Sequence, residues 1–191
     1  MRTLVLGGAR SGKSAWAEQQ LLSAASGELV HYVATARPWP GDTDFEARVA
    51  GHVQRRKAQE HTTGVRWQTL EHVDAVVALR NWAELGAHPR VLVDDIGTWL
   101  THLFDREQLW EAPRGSGAPY VAELVAAVQA WPDSAQLYLV SPEVGLGVIP
   151  EHASGRLFRD EIGLLNQQLA AVCERVVLVI AGCPLVVKDV T

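Results

Sequence analysis

Short apolar runs and longer stretches of helical period take turns along this chain. Near-continuous apolar segments at residues 3–6, 29–34, 91–94, 136–140 and 175–181 have strand length and little polar alternation, as strands buried on both faces of a sheet require. Between them, apolar residues recur every three or four positions at 13–25, 45–60, 73–85, 97–109, 120–131 and 153–173, which predicts helices. Strand and helix in repeated succession build a mostly parallel sheet flanked by helices, so the class is α/β. Residues 185–188 follow 175–181 across Gly182-Cys183-Pro184 and predict an antiparallel C-terminal edge hairpin. Residues 66–70 also read as a strand.

The stretch from Glu111 to Pro119 is a loop by composition, but it separates two helices rather than two cores. With 191 residues in all, residues 1–191 are expected to form a single domain. A second irregular stretch, from Ala36 to Thr43, follows the second strand. Ligands of open α/β sheets gather beyond the C-terminal ends of strands, so this loop is well placed for function.

Composition narrows the classes further. Hydrophobic residues at 48% and charged residues at 20% exclude a disordered, collagen-like or coiled-coil chain. The net charge of −5 argues against a nucleic-acid partner, so any phosphate must be held by a local positive site. Cys173 and Cys183 form neither a disulfide framework nor a zinc motif, which fits a reducing cytoplasm. The longest apolar stretch, 176–187, is interrupted by Gly182 and Pro184 and falls short of the roughly 20 residues of a membrane helix. Residues 1–6 run into glycines without a signal-peptide core or cleavage site. A cytoplasmic protein without a membrane span is the expectation.

Gly7-Gly8-Ala9-Arg10-Ser11-Gly12-Lys13-Ser14 is a complete G-x-x-x-x-G-K-S motif between the first strand and the first helix. Glycines let the backbone curl so that its amides face a phosphate, and the helix N-terminus adds partial positive charge. Lys13 is then a point charge for the outer phosphates, and the Ser14 hydroxyl a ligand for Mg²⁺. Glycine turns at such junctions also serve packing, but full agreement with the motif in this context makes a P-loop NTPase-like nucleotide site the reading. The motif leaves open what receives the phosphate, because kinases, ATPases and GTPases share it. Val91-Leu92-Val93-Asp94-Asp95 supplies the apolar strand ending in acid that faces such a loop, with Asp94 as the metal partner. One of the two aspartates, Asp95 in particular, can equally cap the helix that follows.

The helix expected over 45–60 carries an apolar stripe of Phe45, Val49 and Val53 and, beside it, Arg48, His52, Arg55 and Arg56 on one face. Three arginines around one histidine suit an anion and would disfavour protonation of the imidazole, leaving it nucleophilic. A solvated charged stripe is the alternative from the residues alone.

The phosphate loop, Tyr32-Val33-Ala34-Thr35, Arg48-Val49-x-x-His52, Glu143-Val144-Gly145-x-Gly147-x-x-Pro150, and Arg156-x-Phe158-Arg159-Asp160 followed by Asn166-Gln167 occur here in one order. In that combination, over nearly the whole chain, the sequence resembles the bifunctional adenosylcobinamide kinase / adenosylcobinamide-phosphate guanylyltransferase family of cobalamin biosynthesis. The resemblance implies two reactions. The γ-phosphoryl of ATP or GTP goes to adenosylcobinamide; the histidine matched by His52 then attacks the α-phosphorus of GTP, and the resulting GMP-histidine passes GMP to adenosylcobinamide-phosphate. It implies His52 and Lys13 as catalytic residues and Mg²⁺ at Ser14 and Asp94. By residue match the nucleotide would also touch Thr35, Ala36, Arg37, Val53, Gln54, Arg55, Arg56, Glu71 and Asp94. A homotrimer with the site between subunits is implied as well, and the 7 tryptophans would suit such an interface.

The sequence departs from the family pattern in a stretch at 58–64 that reads as an insertion, in Asp95 where a small residue is usual, and in Pro142 where asparagine is expected. His61, His72 and His102 compete in principle as nucleophiles, whereas His31 at a strand start reads as structural. Two other functions fit the phosphate loop: a kinase lacking the guanylyltransferase step, and a nucleotide-dependent switch or ATPase subunit whose arginine face docks a protein.

Overall fold

The computed structural model describes residues 1–23, 29–37, 41, 43–85 and 88–190. Seven strands form one sheet: β1 (Arg2–Gly7), β2 (Leu29–Ala34), β3 (Arg66–Leu70), β4 (Arg90–Asp94), β5 (Gln136–Pro142), β6 (Arg175–Ile180) and β7 (Cys183–Asp189), in the order β3-β2-β4-β5-β1-β6-β7. All neighbours run parallel except β6 and β7, which form the expected antiparallel edge hairpin. The helices are α1 (Lys13–Ser23), α2 (Thr43–Thr63), α3 (Ala75–Arg80), α4 (Ile96–Arg106), α5 (Ala118–Gln129) and α6 (Ala153–Val172).

Successive strand residues feed two cores, as the alternation of side chains across a sheet dictates. Leu4, Val91, Val93, Leu137, Leu139 and Val176 pack under α3 to α6. Val5, Leu92, Tyr138, Val140 and Val177 point the other way, toward α1 residues Ala17 and Leu21. Central strands are therefore apolar at consecutive positions; Val91, Leu92 and Val93 are each 0% exposed.

Helix ends follow local chemistry. Asp74 Oδ1 accepts from Val76 N at 2.8 Å, which starts α3 at Ala75, and a separate 3-10 turn covers Trp82–Leu85 where one helix was expected over 73–85. Asp95 Oδ1 accepts from Thr98 N at 2.8 Å and caps α4, whose Ile96, Trp99, Leu100, Leu103 and Phe104 form its buried stripe. The expected end of α1 at residue 25 lies outside the described residues, as do 38–40 and 42 of the irregular stretch after β2. Residues 58–63, read from sequence as part of an insertion, are the last turns of α2. Thr62 and Thr63 hydroxyls donate back to the carbonyls of Ala58 and Gln59, and Gly64 at φ 70° ends the helix.

The six described tryptophans are buried or part-buried. Trp99 and Trp131 are buried, while Trp16, Trp67, Trp82 and Trp110 pack part-buried against the cores. Trp39 lies outside the described residues.

Parallel register brings the functional ends together. Asp94 pairs with Ala34 on one side and Val140 on the other, and Gly7 pairs with Pro142, so the ends of β1, β2, β4 and β5 share one edge of the sheet. Ser141 Oγ donates to Asn166 Oδ1 at 2.6 Å, and Asn166 Nδ2 donates to the Pro142 carbonyl at 3.0 Å, so α6 fixes the end of β5.

Candidate active site

The phosphate loop joins β1 to α1 with backbone that only certain residues adopt readily. Gly12 sits at φ 93° and Arg10 at φ 56°, the second a left-handed conformation that costs a side-chain-bearing residue roughly 1–2 kcal/mol. A Cβ on Gly7 would stand 2.4 Å from Ser11 Oγ and 2.7 Å from the Val179 carbonyl, so this position has no room for a side chain. Lys13 Nζ donates to the Gly8 carbonyl at 3.4 Å, a weak contact that a phosphate oxygen can displace.

Asp94 faces the loop as the sequence predicts. Its Oδ1 accepts from Ser14 Oγ at 3.1 Å and its Oδ2 from the Tyr32 hydroxyl at 2.8 Å. Burial raises the Tyr32 pKa well above its ordinary value, which keeps that hydroxyl protonated as a donor. Burial and the neighbouring Asp95 charge also raise Asp94, against the pull of the Tyr32 and Ser14 hydrogen bonds. A hydroxyl beside a carboxylate in need of positive charge is the hard-oxygen donor set that Mg²⁺ takes. Among the described residues no group of three or more His, Cys, Asp or Glu is placed to hold a metal ion.

Residue Glu18 organises the far side of the site. It lies one helical turn beyond Ser14 on α1 and is 0% exposed. Arg55 grips it with Nε at 2.8 Å and Nη2 at 3.0 Å, while Arg56 Nη1 stands 3.7 Å and His52 Nδ1 3.8 Å from its Oε1. Burial pushes the Glu18 pKa up, but His52, Arg55 and Arg56 around it pull harder and leave it below its ordinary value. Arg56 turns inward, 5% exposed, with its guanidinium 3.9 Å above the Tyr32 ring. Of the three arginines expected around His52, Arg55 touches it, with Nη2 2.9 Å from Nδ1, Arg56 turns to Glu18 and the Tyr32 ring, and the Arg48 side chain, like that of Phe45, lies outside the described residues.

A cavity of about 1060 Å³ unites these parts. Ala9, Arg10, Ser11, Gly12, Lys13 and Ser14 line one wall; His52, Val53, Arg55 and Arg56 line another; Ala36, Glu71 and Asp94 complete the set of sequence-expected residues found there. Gly7 and Gly8 are outside the lining; their carbonyls accept from Glu143 N at 3.1 Å and Ser11 N at 3.3 Å. Gln54 is exposed, outside the lining. Thr35 donates to the Asp95 carbonyl at 2.7 Å and shapes the wall from behind, while Arg37 opens into a neighbouring cavity of about 350 Å³ with Trp99, His102 and Arg106. Of the competing histidines, His72 shares the main cavity, His61 is exposed on α2 and His102 lines the neighbouring cavity, whereas His31 is buried with Nε2 3.1 Å from the Leu85 carbonyl. Sequence reasoning missed Glu18 and assigned no role to Tyr32. The spacing of Glu18 four residues after Ser14 was the available signal, since it places both on one helix face.

The family model described as cobinamide kinase / cobinamide phosphate guanyltransferase matches residues 3–187. The bifunctional adenosylcobalamin biosynthesis protein CobP of Pseudomonas aeruginosa is 41% identical over 191 residues, with 98% of each chain covered. The bifunctional adenosylcobalamin biosynthesis protein CobU of Escherichia coli K12 is 35% identical over 199 aligned positions, covering 98% of this chain and 100% of that one. Among solved structures, a prototypical ATPase from the type III secretion system of pathogenic bacteria matches with a TM-score of 0.52 at 10% identity, over 93% of this chain and 50% of that one, a likeness of fold.

Proposed function

This chain belongs to the cobinamide kinase / cobinamide phosphate guanyltransferase family, and on that premise we propose that it phosphorylates adenosylcobinamide with ATP or GTP and then carries GMP from GTP to adenosylcobinamide-phosphate through His52. The observation that carries this reading is that the phosphate loop and His52 face one cavity. In the first step the loop amides and Lys13 hold the β- and γ-phosphates, so the substrate hydroxyl takes the γ-phosphoryl directly. Ser14 and Asp94 would hold Mg²⁺, which neutralises phosphate charge when bound. In the second step an imidazole nitrogen of His52 attacks the α-phosphorus and pyrophosphate leaves. The phosphate of the acceptor then takes the GMP. A phosphorus–nitrogen bond is labile, so the histidine divides one hard transfer into two easier ones. Arg55 supplies charge beside the α-phosphate.

The reading of a protein-docking arginine face has less to stand on, because Arg56 is buried and Arg55 is bound to Glu18. A homotrimer with the site near a subunit boundary fits the exposed apolar residues Leu146, Val148 and Ile149, which follow Val144 of the cavity wall. A cytoplasmic location fits two free cysteines and a chain in which, among the described residues, no helix is long and apolar enough to cross a membrane. We also take residues 1–191 as one domain. Parallel incubations with γ-labelled and α-labelled GTP test the function: the first label should reach adenosylcobinamide, and the second should pass through the protein to adenosylcobinamide-phosphate. Failure of either transfer removes that activity from the proposal.

A further inference from the structure

We propose that Glu18 is a positioning residue that accepts the Nδ1 proton of His52 during guanylylation, and that Arg55 withholds this arrangement until nucleotide phosphate draws its guanidinium away. The inference rests on the guanylyltransferase reading above and specifies how the nucleophile is made ready.

A guanidinium has only donors, so the 2.9 Å contact between Arg55 Nη2 and His52 Nδ1 makes Nδ1 the acceptor. The neutral ring must then carry its proton on Nε2. In this arrangement neither nitrogen can attack phosphorus: Nε2 has no free lone pair, and the lone pair of Nδ1 is held by Arg55. The reactive ring is the other tautomer, with the proton on Nδ1 and a free lone pair on Nε2. That tautomer needs an acceptor facing Nδ1. Glu18 Oε1 stands 3.8 Å away, beyond a hydrogen bond but within reach of a small ring rotation.

Burying a carboxylate is unfavourable unless its charge is compensated. Arg55, through Nε and Nη2, provides the compensation at present, so both Oε1 and Nδ1 are occupied by the same guanidinium. Arg55 is also the accessible member of the group: its side chain is 37% exposed, against 6% for Arg56, and it lines the cavity. A phosphate entering there competes for Nη2, because guanidinium pairs with phosphate as readily as with carboxylate. Nη2 leaving for phosphate frees Oε1 and Nδ1 together. The Nε2 proton departs to cavity water, another is taken up at Nδ1, and Nδ1–H donates to Glu18.

Guanylylation then balances as follows. The Nε2 lone pair forms a bond to the α-phosphorus; the bond from that phosphorus to the bridging oxygen breaks, and its electron pair leaves on pyrophosphate. The ring keeps its Nδ1 proton and becomes cationic, facing the Glu18 carboxylate. When the acceptor phosphate oxygen attacks, the phosphorus–nitrogen pair returns to Nε2 and the ring is neutral again.

The test uses protein with ¹⁵N-labelled histidine, in which the His52 ring signals are assigned by their loss in His52→Asn. In the free protein Nε2 should appear protonated and Nδ1 unprotonated. With Mg²⁺ and α,β-methylene GTP, which offers phosphates but no cleavable α–β bridge, the two should exchange roles. Glu18→Gln should suppress the exchange and slow covalent GMP formation by roughly 10²–10⁴-fold more than it slows γ-phosphoryl transfer, the scale expected when a histidine is held in the wrong tautomer. A nucleotide-bound wild-type ring that keeps its proton on Nε2, or a Glu18→Gln variant that forms the adduct at the wild-type rate, overturns the proposal. If Glu18→Gln does not fold, the wild-type spectra decide alone. Absence of any GMP adduct on the wild-type protein would refute the guanylyltransferase reading instead, and the ring spectra would still report whether Glu18 takes the Nδ1 proton.

Discussion

The backbone N–H of Gly182 donates to the carbonyl of Ser11 at 2.8 Å, so the turn of the β6–β7 hairpin holds the phosphate loop at its middle. Ala181 at φ 50° and Gly182 at φ 79° form the tight turn between β6 and β7, and a Cβ on Gly12 would come within 3.2 Å of the Gly182 Cα. The two backbones approach closely at Gly12, and the left-handed φ of Gly182 disfavours any side chain at the turn itself.

Replacing Gly182 with valine should therefore act on both stability and nucleotide binding. A branched side chain in the left-handed region costs about 1–2 kcal/mol, and a displaced turn loosens the loop, raising the KM for nucleotide more than it lowers kcat. Thermal denaturation with and without nucleotide, together with initial rates, checks this; an unchanged KM would show that the hairpin does not support the loop.

For Lys13→Ala the expectation is loss of phosphoryl transfer with the fold retained. Among the described residues its ammonium hydrogen-bonds the Gly8 carbonyl, at a long 3.4 Å, so unfolding free energy should stay within about 0.5 kcal/mol of wild type. Normal turnover in this variant would remove the phosphate-loop assignment.

Asp94→Asn should separate charge from shape. The amide keeps the shape and can accept from one of the two hydroxyls through its oxygen, while the other hydroxyl must turn to accept from its nitrogen, and the negative charge that would balance Mg²⁺ is gone. Activity should fall and recover in part at high Mg²⁺, while the melting temperature holds, since burial already disfavours this charge. Unaltered Mg²⁺ dependence would move the metal role to another acid.

Acid stability should trace the tie between β1 and β6. Burial pushes the Glu174 pKa up, but the hydrogen bonds and charge of Arg2 outweigh it and bring it to about 2 from 4.5. A depressed folded pKa gives stability that is complete above pH 4.5 and lost as pH falls toward about 2. Urea midpoints measured down the acid range should show that loss, and Glu174→Gln should reduce it; an identical acid limb in the variant would mean other carboxylates set it.

The legible parts of this protein are those fixed by neighbours in sequence. The phosphate loop, the apolar run into Asp94 and the central strands carry their signals within a few residues, and Asp95 takes the helix-cap role that its position allowed. β3 was harder, because an edge strand with Arg66, Gln68 and Thr69 exposed lacks a continuous apolar run. The arginine face was only half legible for a different reason. Helical spacing correctly put Arg55 and Arg56 near His52, but whether they face a ligand or a carboxylate depends on Glu18, which arrives from another helix. Tyr32 likewise becomes a partner of Asp94 only when β2 and β4 pair. The stretch at 58–64 reads as an insertion against the family pattern, and residues 58–63 of it continue α2 as its mostly exposed end.

The most direct test of the account is the site of GMP attachment. Wild-type protein, His52→Asn and His72→Asn are incubated with Mg²⁺ and α-³²P-labelled GTP, and the bound label is challenged with acid and alkali. Label is expected on the wild type and on His72→Asn, lost in acid and kept in alkali as a phosphorus–nitrogen bond requires, with none on His52→Asn and with γ-phosphoryl transfer retained there. Acid-stable label, or label that persists on His52→Asn, would contradict the two-step mechanism at His52.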